Sequence, residues 1–73
     1  MSTATTSVEI RLNGEMFPTP AGSTISGLLR QLELAEDRVA VELDGRIVRR
    51  PQWPTTPLVA GSAVEIVQLV GGG

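Results

Sequence analysis

Apolar and polar side chains begin to alternate at Val8. In VEIRL, Val8, Ile10 and Leu12 share one face and Glu9 and Arg11 the other, the period of a half-buried strand. Asn13-Gly14 follows, a pair suited to the type I′ turn of a two-residue hairpin because both positions take positive φ. A loop of that length sets Leu12 opposite Glu15, Arg11 opposite Met16 and Ile10 opposite Phe17. Phe17 then lies on the core face and Met16 on the other face with Arg11. Pro18 and Pro20 are expected to end this second strand, and they fit only the edge of a sheet.

The period changes in GSTISGLLRQL. Ile25, Leu28, Leu29 and Leu32 recur at i, i+3, i+4 and i+7, one apolar stripe of a helix. Thr24 is the preferred N-cap, with Ser23 the alternative, since either hydroxyl can accept from a free N–H of the first turn. Gly27 costs such a helix about 1 kcal/mol relative to Ala, and so short a helix does not persist alone. It requires a sheet to pack on.

Alternation returns in VAVEL, with Val39, Val41 and Leu43 inward, and Asp44-Gly45 turns the chain into a short RIV strand. RRPQWPTTP reads as an irregular surface passage because prolines flank its tryptophan. Gly61-Ser62 makes the last turn before a strand over 64–70. One helix covers one face of a sheet, so the order hairpin, helix, strand, short strand, strand predicts a two-layer α+β fold. A helix between strands that end parallel takes a right-handed crossover. The expected architecture is a β-grasp, a mixed four- to five-stranded sheet on one main helix. It spans 8–70, between a polar frayed tail at 1–7 and a flexible glycine tail at 71–73.

The last strand departs from simple alternation. Val64 and Ile66 suit the core face, yet Val67 and Leu69 fall on the side that a single helix leaves uncovered. An exposed apolar patch at Val67, Leu69 and Val70, extended by Met16 and leading into Gly71, is the expected partner surface. A β-bulge that shifts the register and buries these residues is the alternative.

Composition narrows the chemistry. The 73 residues allow one domain and a small core. There is no Cys and no His, so a thiolate nucleophile, a disulfide and the commonest general base and metal ligand are all missing. A self-contained enzyme is not expected. The net charge of −2 and six scattered arginines without lysine argue against nucleic acid. No apolar run reaches membrane-spanning length, and MSTATTS is unlike a secretory leader, so a cytoplasmic protein is expected.

The sequence closes on VQLVGGG. Glycine loses more backbone entropy on folding than any other residue, so three in a row add nothing to a small domain. Extended, they reach roughly 10 Å past the fold and can thread a channel too narrow for side chains. At their end stands the Gly73 carboxylate, which becomes an acyl donor once adenylated with ATP. A disordered end or a cloning remnant is the plainer reading of an isolated glycine run. Here the run follows an apolar strand without a linker, which favours function.

The chain resembles the small sulfur carriers of the ubiquitin-like β-grasp group, most closely the ThiS type. The resemblance rests on VEIRLNGE, GSTISGLLRQL, VAVELDGRIVRRPQW and GSAVEIVQLVGGG, which together cover nearly all of 8–73. A diglycine end is common to the group, including the small subunit of molybdopterin synthase. Arg50 three residues before Trp53 tilts the likeness towards the thiazole branch. The resemblance implies that Gly73 and Gly72 form the working terminus. An E1-like adenylyltransferase of the ThiF or MoeB type activates the Gly73 carboxylate with ATP, and the chain itself binds no cofactor. A cysteine desulfurase or other persulfide donor then supplies the sulfur that makes it a thiocarboxylate. A thiazole synthase receives that sulfur and combines it with 1-deoxy-D-xylulose 5-phosphate and dehydroglycine. Two features depart from the pattern: Asp44 stands where Asn is common, and three glycines replace two.

Other readings share the same tail. Molybdopterin, cysteine or a sulfur-containing secondary metabolite is the alternative destination of the sulfur. A protein modifier would join Gly73 to a partner's lysine, although a chain without lysine cannot extend on itself through a side chain. A β-grasp interaction module with an inert tail is the third. Among single residues, Trp53 is expected to plug one end of the core with its N–H on a carbonyl. Arg50 is expected to fix its loop, with a basic rim of Arg46, Arg49 and Arg50 as the alternative. Glu33, Glu36 and Asp37 read as a solvated face, and Asp44 and Glu65 as isolated carboxylates.

Overall fold

A computed structural model describes residues 6–70. The chain runs β1 (Ser7–Leu12), β2 (Glu15–Pro20), α1 (Ile25–Gln31), a 3-10 turn (Glu36–Arg38), β3 (Val39–Leu43), β4 (Arg46–Ile47), a 3-10 helix (Arg50–Thr55) and β5 (Ala63–Gln68). The five strands form one mixed sheet in the order β2-β1-β5-β3-β4. β5 enters its middle, parallel to β1 and antiparallel to β3. This is the β-grasp expected from the pattern, with five strands.

Both hairpin turns take the predicted geometry. Asn13 and Gly14 have φ of 51° and 86°, and Asp44 and Gly45 have 52° and 84°. The first turn sets Leu12 opposite Glu15, Arg11 opposite Met16 and Ile10 opposite Phe17. β2 is an edge strand, but it runs through Pro18 to Pro20 instead of ending there. The outer side of an edge needs no N–H, so proline is tolerated within it. β1 opens at Ser7, inside the stretch read as a tail, and the Thr6 carbonyl accepts from Ala21 N–H at 2.8 Å.

Thr24 is the N-cap of α1, its Oγ1 accepting from Gly27 N–H at 3.2 Å. Ser23 donates instead to the Pro20 carbonyl at 2.6 Å. The far end closes with Glu33 at φ 59°, as Leu34 N–H reaches Leu29 O and Glu33 N–H reaches Arg30 O. That is a Schellman ending with glutamate where glycine is usual, and Leu34 folds back onto the core. Ile25, Leu28 and Leu29 pack against Ile10, Val39, Val41 and Val64 from the sheet, with Trp53 and Leu58 completing the core.

RRPQWPTTP is more regular than its prolines suggested, because Arg50–Thr55 is a 3-10 helix with a proline in its first turn. Trp53 is 2% exposed and donates from Nε1 to the Val48 carbonyl at 2.8 Å, the plug expected of it. Arg50 reaches Glu36 at 3.6 Å with both side chains half in water, a link between two surface segments that adds little stability.

Candidate functional site

The candidate site grows out of β5, and four local devices hold that strand. Gly61, at φ 85°, turns the chain into it. The Ser62 hydroxyl accepts from Val59 N–H at 3.0 Å, and Asp44 Oδ1 accepts from Ala63 N–H at 2.9 Å. Further along, Asn13 Oδ1 accepts from Ile66 N–H at 2.8 Å, so the first hairpin turn also braces the last strand.

The register from Val39↔Gln68 to Leu43↔Val64 is unbroken, so no bulge rotates the strand. Val64 is fully buried against the helix layer and Ile66 is half-buried there. Val67 is 59% exposed and Leu69 50%, on the uncovered side. The strand ends at Gln68, short of the expected Val70, although Leu69 N–H still donates to Arg38 O at 2.7 Å. Val70 is exposed beyond it. Val67, Leu69 and Val70 are therefore together at the exit of the central strand. Gly71, Gly72 and Gly73 lie outside the described residues.

Met16 is exposed on the same face but does not join this group. It faces Arg11, which pairs with Ala63, four residues before Val67 on β5. Glu65 intervenes along the strand. Strand alternation identifies the face but does not place a residue along it. Ile47 on β4, 75% exposed, is a further apolar residue outside the expected patch. The Asp44-Gly45 turn places Ile47 opposite Glu42, hence on the polar side, and the turn register alone would have found it.

Glu42 in turn stands opposite Glu65, so Glu65 is not isolated. Two carboxylates face each other on the open side with no arginine bridging them, since Arg50–Glu36 is the sole ion pair among the described residues. Adjacent like charges cost a sheet some stability, so this rung is not there to hold the fold. The described residues contain no group of three or more metal-ligating side chains and no pocket. None of their helices is long and apolar enough to cross a membrane. The arrangement offers a flat, partly apolar face beside the strand that leads to the glycines.

Such a scaffold is that of a ubiquitin-like β-grasp protein. Its likeness to the crystal structure of the thiamine biosynthesis protein (ThiS) from Geobacter metallireducens is close: TM-score 0.78 at 29% identity, covering 90% of this chain and 100% of that one. The ThiS family model matches residues 10–73, and the chain belongs to that family. Among relatives, the Escherichia coli sulfur carrier protein ThiS is 29% identical over 66 residues, 90% of this chain and 100% of its own length. A Magnetococcus marinus protein named thiazole synthase is 38% identical over 66 residues. Those residues are 90% of this chain but 20% of that protein, so the chain spans about a fifth of this relative.

Proposed function

We propose that this protein is a sulfur carrier whose working atom is the carboxyl carbon of Gly73. The family match carries this reading, because it runs through residue 73 and so includes the glycines. The Gly73 carboxylate attacks the α-phosphate of ATP on an E1-like enzyme, releasing pyrophosphate and forming an acyl-adenylate. A cysteine-derived persulfide displaces AMP through its terminal sulfur. A second thiol then cleaves the S–S bond, becoming oxidised to a disulfide as the thiocarboxylate is released. The chain is a cosubstrate of these steps rather than their catalyst, and they take place in the cytoplasm.

The acceptor we propose is a thiazole synthase. The Magnetococcus relative supports this choice, since a segment similar to this chain is there part of a protein of that name. Docking falls to Val67, Leu69 and Val70, whose exposed side chains precede the glycines. The test is intact-mass spectrometry after incubation with the E1-like enzyme, ATP, cysteine and a cysteine desulfurase. Replacement of one oxygen by sulfur in the C-terminal peptide, dependent on ATP, is the expected result. An unchanged mass with an enzyme that activates its own carrier would overturn the proposal. An isopeptide bond to a partner lysine would mark a modifier instead.

A further inference from the structure

The backbone of β5 changes partners halfway along. Ala63 O accepts from Asp44 N–H and Leu69 N–H donates to Arg38 O, each at 2.7 Å. These two bonds show that the odd-numbered residues of β5 turn their backbone groups towards β3, as antiparallel pairing with alternate residues requires. The even-numbered residues face the other way. There Val64 O accepts from Asn13 N–H, and Ile66 N–H donates to Asn13 Oδ1, each at 2.8 Å. But β1 has ended at Leu12, and Asn13 has already turned away at φ 51°. One side-chain oxygen supplies one more rung. Past it, the Ile66 carbonyl, both backbone groups of Gln68 and the Val70 N–H have no strand opposite them among the described residues.

The other two edges of the sheet are guarded. β2 carries Pro18 and Pro20 on the outside, and β4 is two residues long and begins with an arginine. Proline, charge and brevity are the usual defences against unwanted pairing. The free edge at Val67–Val70 has no proline and no charged residue. It is also the backbone from which Gly71–Gly73 continue. A protein that takes up the Gly73 carboxylate must come within about 10 Å of Val70, the reach of three extended residues. Such a protein therefore comes near the end of this edge.

We propose that the activating enzyme adds a short β-strand to the free edge of β5 at Ile66–Val70, in line with the place that β1 vacates. This rests on the sulfur-carrier reading for the identity of the partner. Unpaired alternating N–H and C=O groups specify an extended backbone as their occupant, and pairing of this kind supplies affinity through main-chain bonds. Val67 and Leu69 then lie on the open face beside the added strand, where their side chains meet the same partner. The pairing would fix the direction in which the glycines leave the fold.

Amide exchange in the wild-type chain tests this without any substitution. On binding the E1-like enzyme with a non-hydrolysable ATP analogue, the Gln68 and Val70 amides should slow by about tenfold or more. Val67 and Leu69, already bonded to β3, should change much less. Gln68→Pro removes a donor that the fold does not use, and should weaken binding about three- to tenfold, whereas Gln68→Ala should not. Should Gln68→Pro lower the urea midpoint, the exchange experiment decides alone. Unchanged Gln68 and Val70 exchange in a complex that still adenylates Gly73 would overturn the added strand and leave the carrier reading intact. Failure of the wild-type chain to be adenylated would overturn both.

Discussion

The two halves of β5 are built to opposite ends. At Ala63–Val64 the strand has neighbours on both sides and the helix layer beneath, and Val64 is wholly buried. From Val67 onward it keeps one neighbour, β3, while its side chains stand half in water. One six-residue strand thus anchors the core with its first residues and offers itself outward with its last. Surface exposed at the end of a central strand costs a small domain stability that a buried residue would have added. That contrast separates what holds the fold from what is left over for partners.

Substitutions along the strand can break the contrast or sharpen it. Val64→Ala should have the largest effect, a loss of about 1.5–3 kcal/mol from an unrelaxed cavity, read as a lowered midpoint in urea. Asn13→Ala comes next. It removes the acceptor for Ile66 N–H and places a less tolerant residue at positive φ, so about 1–2 kcal/mol should be lost. Asn13→Gly keeps the turn and loses mainly the bond, and the difference between the two variants isolates the brace. Glu65→Thr should stabilise by a few tenths of a kcal/mol in thermal unfolding at low salt, because it relieves the repulsion with Glu42. Val67→Ala should leave stability within about 0.5 kcal/mol of wild type yet weaken binding of the proposed activating enzyme in calorimetry. A large loss of stability in that last variant would show that the outer half belongs to the core after all.

Much of this architecture was legible in the residues, for a local reason. Asn13-Gly14 and Asp44-Gly45 dictate their own turns, and a two-residue loop fixes pairing for several rungs on either side. The stripe from Ile25 to Leu32 and the cap at Thr24 likewise depend on neighbours a turn apart. What escaped depends on contacts distant in sequence. Glu42 faces Glu65 across 23 positions only because β5 enters beside β3 in one register, which no local pattern states. Met16 was assigned its face correctly, but its distance along the sheet from Val67 follows from the β1–β5 pairing. Around Trp53 the prolines suggested irregularity, and the buried indole with its bond to Val48 organised them into a helical turn. The candidate site was readable as a tail and a face, and its free backbone edge was not, because where β1 stops relative to β5 is a tertiary fact.

The position of β5 also bears on how the chain is made. The strand nearest the C-terminus is the middle one of the sheet, so on a ribosome the two hairpins emerge first and have nothing to join them. Long-range pairing of this sort forms late and slowly. A nascent fragment that stops before Ala63 lacks the strand that joins the two hairpins. A partner that recognises the folded sheet thereby recognises a chain already translated through β5, and fragments lacking that strand present no such surface.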